Sequence, residues 1–459
     1  MHGPVAEAGP ARHFARISDD PLRDAFGQRR ALLPWGDKMP VPADEMLPLW
    51  EALMAAPQPP RKRLAYVHVP FCVNHCLFCG FYRNAYVPKV ASRYVALLTQ
   101  EIEREAHRAG VAGRPVHAVY FGGGTPSALS AEDLSGLIRA LRTSLPLAPD
   151  CEITIEGRII HFDPEKIAAC LEAGANRISV GVQSFNTEVR RRQGRRASRE
   201  EAIAFLEGIR ARDRAALVID LIFGLPGQTP QVWQADLETA AALEPDGIDL
   251  YGLNLIPGTP LFRAAAGGKF PGSPTLSDLG RLYKAGVDFF DRKGWRQISN
   301  SHFGRTTRER NLYNLYVKGG ADCLAYGSGA GGALGDVSYS LAGELERYAE
   351  RIEEGLKPID GMRRGNAMQP TRDLVIGSFE IGRIDLSRFD IPGGIDPRVL
   401  FGPLIEQWQQ AGLVTVAGDI ITLTVAGRFW YGNLVTGFND ALSSLMPVAA
   451  QPPPALGAS

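Results

Sequence analysis

The sequence predicts an α/β fold: an open, partial (β/α)6 barrel that ends in a small winged-helix-like α+β module. Three observations carry this. Apolar strand-like runs alternate with helix-like stretches six times between Leu64 and about Pro260, the pattern of parallel strands joined by crossover helices. Nearly every one of those runs ends in a polar or glycine-rich turn. From about Thr371 to Leu442 the alternation gives way to a helix, a hairpin and a further helix. Six units are too few to close an eight-stranded barrel but enough for an open one. The 459 residues then divide into an N-terminal extension (1–62), the barrel core (63–300), a connecting, substrate-side segment (301–370), the winged-helix-like module (371–445) and a disordered tail (446–459).

In chain order, residues 1–62 are rich in Pro and Ala, with one amphipathic piece near Asp20–Arg30, and end in PQPPRKR, which reads as a linker. The first buried strand, LAYVHV, runs directly into a loop of three cysteines. A stretch in helical period follows, ASRYVALLTQEIEREAHRAG, and then the strand VHAVYF, ending in GGGTPS at Gly122–Ser127. Ser130 opens the next helix, with Glu132 and Asp133 favouring its first turn. CEITIEG is a strand, DPEKIAACLEAG a helix opened by Asp163-Pro164, and NRISVGVQSF a strand. Two helices lead to ALVIDLIFGLPGQ (strand and turn), PQVWQADLETAAAL (helix) and GIDLYGLNLIPGTP (strand and loop). In the module, the hairpin turns at Gly418-Asp419, and the tail MPVAAQPPPALGAS has the composition of a disordered segment.

Composition narrows the function classes. A hydrophobic fraction of 45% with 22% charged residues is that of an ordinary soluble protein. The formal net charge is zero, so nothing electrostatic favours nucleic acid or an anionic membrane, and no Lys/Arg run accompanies the winged-helix-like module. No apolar run is long enough to span a bilayer, and MHGPVAEAGPARHFARISDD lacks the apolar core of a signal peptide. Clustered cysteines fit a reducing compartment, and the cytoplasm is expected.

The chemistry concentrates in Tyr66–Asn84, YVHVPFCVNHCLFCGFYRN, where Cys72, Cys76 and Cys79 are spaced C-x3-C-x2-C. Thiolates this close can converge on one metal centre. Three is one fewer than a fully ligated iron–sulfur cluster takes, which leaves one iron open. On these residues alone a zinc site completed by His75 or His68, or a disulfide with a spare thiol, stays open. The other strand ends carry Gly122–Ser127, Glu156, Gln183, Asp220 with GLP, and Asn254. Ligands of parallel α/β folds bind at the carboxyl ends of the strands, so these residues should meet on one face. Each turn taken singly is also ordinary turn chemistry.

The loop C-x3-C-x2-C after a YxHVPFC strand, followed by FGGGTPS, EITIEG, RISVGVQSFN and IDLIFGLPGQT, resembles the radical S-adenosylmethionine (SAM) enzymes. More narrowly it resembles their oxygen-independent coproporphyrinogen dehydrogenase (HemN-like) branch. Within that branch the chain looks most like the ChuW/HutW family of anaerobic heme-degrading radical SAM methyltransferases. DPLRDAFGQRRALLPWG at Asp20–Gly36 is similar to that family's leader, and HFGRTTRERNLYN and LAYGSGAGGALGDVSYS to its later segments. Phe81 stands where the dehydrogenase has a further cysteine.

The resemblance implies that Cys72, Cys76 and Cys79 hold a [4Fe-4S] cluster that cleaves SAM. It assigns Tyr66, Phe78, Gly123 and Glu156 to a first SAM site, with Gly331 near a further position. Gly124, Thr125, Gln183, Arg195 and Asp220 fall at the positions of a second SAM, with Asn254 close by. It implies methylation and ring opening of heme, giving a linear tetrapyrrole and free iron, with a flavodoxin-like electron donor. The glycines would let SAM approach the backbone closely, and Arg195 would pair with a carboxylate. For the heme, His302 is the candidate to approach iron, with Arg305, Arg308 and Arg310 to meet the propionates, and Tyr251 and Tyr313 as ring contacts or core. Two other readings remain: a coproporphyrinogen dehydrogenase-like enzyme, and a heme-binding chaperone related to HemW.

Overall fold

The structure, a computed structural model, describes residues 9–32, 38–57, 59–268 and 274–445. The expected disordered tail, 446–459, lies outside the described residues, as do positions 33–36 of the leader-like stretch. Six parallel strands form where the alternation places them. They are β1 (Arg63–Val69), β2 (Val116–Gly123), β3 (Leu147–Gly157), β4 (Arg177–Gln183), β5 (Ala216–Phe223) and β6 (Gly247–Gly252), side by side in that order. Helices cross between them, and two of their starts are read correctly from the caps. Ser130 accepts from the Asp133 N–H at 3.0 Å, and Asp163 from the Lys166 N–H at 2.8 Å, which satisfies a helix-end donor in each case.

The sheet is wider than six strands. Beyond β6 lies the antiparallel β7 (His302–Gly304), whose residues face Asp249, Ile248 and Gly247. On the other side β8 (Asp322–Tyr326) pairs parallel with β1, adding a seventh parallel strand. Antiparallel β9 (Gly331–Leu334), β10 (Val337–Leu341) and β11 (Ile359–Arg364) continue from it. This half comes from short runs broken by glycine, which carry little periodic signal. Among the described residues no helix is long and apolar enough to cross a membrane.

The C-terminal module has the expected order. Helix Gln369–Ile381 precedes β12 (Arg383–Asp385), helix Pro397–Gln410 and the hairpin of β13 (Val414–Ala417) with β14 (Ile420–Leu423). Helices Val425–Phe429 and Tyr431–Ser443 close it, with Phe401 stacked on Phe438 at 3.9 Å.

The N-terminal residues are built into this body. Trp408 Nε1 donates to the His13 carbonyl at 3.0 Å and Trp430 Nε1 to that of Pro21 at 2.7 Å. Met39–Pro40 pairs with β11, and helix Ala43–Ala55 buries Trp50 against Tyr339. The linker reading of PQPPRKR fails at its end. Arg63 is fully buried, donates to the Val111 carbonyl at 2.9 Å and starts β1.

A buried cation ties the two halves of the sheet to their helices. Lys357 Nζ lies 2.8 Å from Glu101 and 3.0 Å from Glu105, both on helix Pro88–Ala106, and donates to the Ala325 carbonyl of β8 at 2.8 Å. Tyr348 Oη donates to the same Glu101 at 2.6 Å. Removing the cation would leave two buried carboxylates facing each other. Lys357→Met is expected to cost about 3–5 kcal/mol of stability, read as a lower urea midpoint with an unchanged slope.

Candidate active site

The cysteine loop is folded by its own backbone and by the turn behind it. Phe71–Cys72 pairs with Asn84–Ala85 and so closes the loop at its base. The Cys79 N–H donates to the Cys76 carbonyl at 3.1 Å, and the Leu77 N–H to the Gln193 carbonyl at 3.2 Å. Asn74 Nδ2 donates to the Gly194 carbonyl at 2.8 Å, docking the loop on the arginine-rich turn 190–196. Cys72 and Cys76 are buried and Cys79 is partly exposed; all six cysteines are free thiols.

The glycine turn is held against this loop. The Gly124 N–H donates to the Val69 carbonyl at 2.8 Å. A Cβ on Gly124 would sit 2.6 Å from the Phe71 carbonyl oxygen, and one on Gly123, whose φ is +108°, would sit 2.5 Å from the His68 ring. The sequence-based reason for these glycines therefore changes. The room they leave is taken by the protein's own loop, so they are required to bring the two turns together.

One cavity of about 220 Å³ is lined by the three cysteines, Phe78, Gly123, Gly124, Thr125, Glu156, Gln183, Arg195 and Asp220. Thr125 Oγ1 is 3.3 Å from Cys72 Sγ, and Arg158 Nη2 donates to Cys76 Sγ at 3.0 Å. Burial pushes the Cys72 thiol up, and Thr125 and Arg158 oppose that. Tyr120 Oη donates to Glu156 at 2.7 Å, and burial raises the Glu156 carboxyl. Gln183 has a φ of 72° beside a bulge in β4, a strained conformation for a side chain other than glycine. It leaves Oε1 buried and unpartnered, and Arg195 likewise leaves Nε unpartnered. An acceptor and a donor thus await a polar ligand.

The donor set fits an iron–sulfur cluster better than a single ion. Among the described residues no three His, Cys, Asp or Glu side chains are gathered to hold one metal ion. Neither histidine completes a zinc tetrahedron. His75 stacks on Tyr82 with Nε2 3.1 Å from the Cys79 carbonyl, and His68 Nδ1 is 3.0 Å from Tyr66 Oη. Three thiols around one cavity mouth, with Arg158 and Arg195 nearby, suit a cluster of irons each taking one thiolate.

Two further cavities adjoin. One of about 390 Å³ shares Phe78, Cys79, Phe81, Gln183 and Asp220 with the first, and adds Tyr251 and Asn254. The next, about 670 Å³, shares Arg29, Asn254, Lys318 and Tyr431 with the second and is walled by Tyr66, Tyr313 and Cys323. Tyr66 and Gly331, assigned to a first SAM site by resemblance, line this largest cavity and not the cysteine cavity.

The heme contacts expected from sequence are elsewhere. His302 is fully buried, with Nδ1 2.9 Å from Asp249 and Nε2 3.0 Å from Glu309, and these acids raise it to about 9. Arg177 holds Glu309 at 3.0 Å from beneath. Arg305 donates to the carbonyls of Glu244 and Pro245, Arg308 pairs with Asp213, and Arg310 with Asp150 at 3.0 Å. The reason is the direction of β7. It runs antiparallel to β6, so the chain after Gly304 returns to the amino ends of the parallel strands, away from the cavities. Arg29 and Arg158 were missed: Arg29 stands beside Arg30 in the leader-like stretch and Arg158 directly follows EITIEG, and only the fold brings each to a cavity.

Comparison with known proteins agrees with this geometry. Residues 66–240 match the radical SAM superfamily. The chain is 46% identical over 435 residues to anaerobilin synthase of Escherichia coli O157:H7, covering 94% of this chain and 95% of that protein. It is 29% identical over 419 residues to the oxygen-independent coproporphyrinogen III oxidase of Escherichia coli K12, covering 84% and 87%. Among solved structures, coproporphyrinogen III oxidase (HemN) of Escherichia coli, a radical SAM enzyme, superposes with a TM-score of 0.71 at 26% identity, covering 87% of this chain and 93% of that one.

Asp220 gives a test of the site's electrostatics. Burial first, then Asp249 and Glu156, raise its carboxyl toward neutrality, while Ser179 Oγ donates to it at 3.2 Å. The folded state thus prefers the protonated acid. That preference costs nothing below the ordinary carboxylate range and becomes a penalty as pH rises toward neutrality and above. Without ligand, Asp220→Asn should raise Tm by about 2–4 °C at pH 8 and leave it unchanged near pH 4, as read by calorimetry across that range.

Proposed function

The chain belongs to the radical SAM superfamily and, within it, to the family of anaerobilin synthase, and we propose that it methylates heme and opens the porphyrin ring without oxygen, releasing iron and a linear tetrapyrrole. The observation that carries this reading is the convergence of three cysteines, the glycine turn, Glu156, Gln183 and Asp220 on one cavity that leads into a larger, aromatic one. Cys72, Cys76 and Cys79 would hold a [4Fe-4S] cluster. When bound, the cluster and SAM supply one-electron cleavage of a carbon–sulfur bond and the carbon radical that starts the reaction.

The chain's own residues bind, orient and shield. Arg158 and Arg195 offset the negative charge of the thiolates. Glu156, bonded to Tyr120, can accept from an ammonium group. Gln183 offers its free Oε1 and Arg195 its free Nε to polar ligand groups. Gln183 and Asp220 stand on the wall common to the two smaller cavities, which supports a second SAM in the cavity of about 390 Å³. Heme takes the cavity of about 670 Å³, whose size and tyrosine walls suit a flat macrocycle. The C-terminal module covers the site through Phe429 and Tyr431 and excludes water from it. Electrons come from a flavodoxin-like donor, and the protein works in the cytoplasm.

Anaerobic, reduced protein given SAM and heme should lose the Soret band and yield a methylated linear tetrapyrrole by mass spectrometry. Conversion of propionate to vinyl on a porphyrinogen would instead support the dehydrogenase, and intact heme in a tight complex a chaperone. Cys76→Ala should abolish SAM cleavage; retained cleavage would sink the cluster assignment.

A further inference from the structure

Arg29 and Lys318 are the two cations at the junction of the two larger cavities. Lys318 is engaged, 2.7 Å from Glu380. Arg29 has no carboxylate beside it among the described residues. Its Nε donates to the Phe429 carbonyl at 3.2 Å, and its guanidinium lies over the Phe429 ring at 4.5 Å. A Cβ on Gly252 would sit 3.0 Å from Nη1, so the missing side chain at the end of β6 makes room for the fork. Burial lowers its pKa, with only tyrosines nearby to offset that. An arginine keeps its proton even so, and carries a desolvated charge that an anion would compensate.

Its position is fixed in advance. Asn433 bonds the backbone on both sides of it. Its Oδ1 accepts from the Arg30 N–H at 3.1 Å, and its Nδ2 donates to the Gln28 carbonyl at 3.0 Å. The Arg30 carbonyl lies against Gly432, where a Cβ would come within 2.1 Å. A side chain held this way points at the junction before any ligand arrives, so little entropy is lost on binding. The planar fork suits a carboxylate bidentately, and the aromatic walls suit an apolar ring system attached to it.

We propose that Arg29 is the receptor for a substrate carboxylate, holding one propionate of the porphyrin where the two cavities meet and so setting which edge of the macrocycle faces the cysteine loop. This rests on the reading of heme as substrate. The test is a Soret titration of the anaerobic, cluster-loaded protein without SAM, using heme and heme dimethyl ester on wild type, Arg29→Gln and Arg29→Lys. Arg29→Gln should weaken heme binding about 10- to 100-fold, the size of one charged hydrogen-bonded pair. It should leave ester binding at the wild-type level, and Arg29→Lys should restore part of the loss. Unchanged heme affinity in Arg29→Gln would overturn the proposal. So would an equal loss for heme and ester, which marks a structural role, or a wild type that binds neither. If Arg29→Gln does not fold, the comparison of heme with ester on Arg29→Lys decides it: a loss confined to heme supports the receptor, and an equal or absent loss overturns it. The two readings fail separately. A wild type that leaves heme intact in turnover yet shows the Arg29-dependent preference for heme over ester sinks ring opening alone. Ring opening with unchanged binding in Arg29→Gln sinks the receptor alone.

Discussion

The site depends on one close approach, that of the glycine turn after β2 to the end of β1. A single backbone hydrogen bond, Gly124 N–H to the Val69 carbonyl at 2.8 Å, marks it, and no side chain larger than hydrogen fits between Gly124 and the Phe71 carbonyl. Because β1 leads straight into the cysteines, this contact sets where Cys72 stands relative to Thr125 and the acids of β3 and β5. Parallel neighbours bring their carboxyl ends to the same level, so one such contact aligns the others along the sheet.

Charge is sorted around that contact. Arginines gather on the thiol side, where Arg158 reaches Cys76 and Arg190 is bound to the carbonyls of Val182, Ser184 and Ala197. Carboxyls gather on the floor, where Asp249 and Glu156 add to burial in opposing the ionisation of Asp220. Beneath them the His302–Glu309–Arg177 column carries compensating positive charge, which burial alone would not tolerate. His302 thereby supports the floor from within the sheet and lines none of the three adjoining cavities.

Much of this was legible in the sequence because it obeys local rules. The six strands, the caps at Ser130 and Asp163 and the hairpin at Gly418-Asp419 follow from period, capping chemistry and turn chemistry. The cysteine spacing and the polar strand ends pointed to residues that do line adjoining cavities. What was not legible depends on direction or on long-range packing. Nothing in NSHFGRTTRER says that its strand runs antiparallel, yet that fact alone carries Arg305, Arg308 and Arg310 to the far edge. Arg29 lies in a short amphipathic piece that says nothing of what it faces, and its place depends on Asn433, more than four hundred residues away in sequence.

The lacing of residues 10–30 onto the last helices has a consequence for biosynthesis. Arg29 leaves the ribosome some four hundred residues before Phe429 and Asn433, which hold it in place. The barrel and its cysteine loop can assemble while the chain is still being made, but the roof over the largest cavity cannot. The wall where the two larger cavities meet, to which Arg29 and Tyr431 both contribute, is thus completed only after the cysteine loop has been made.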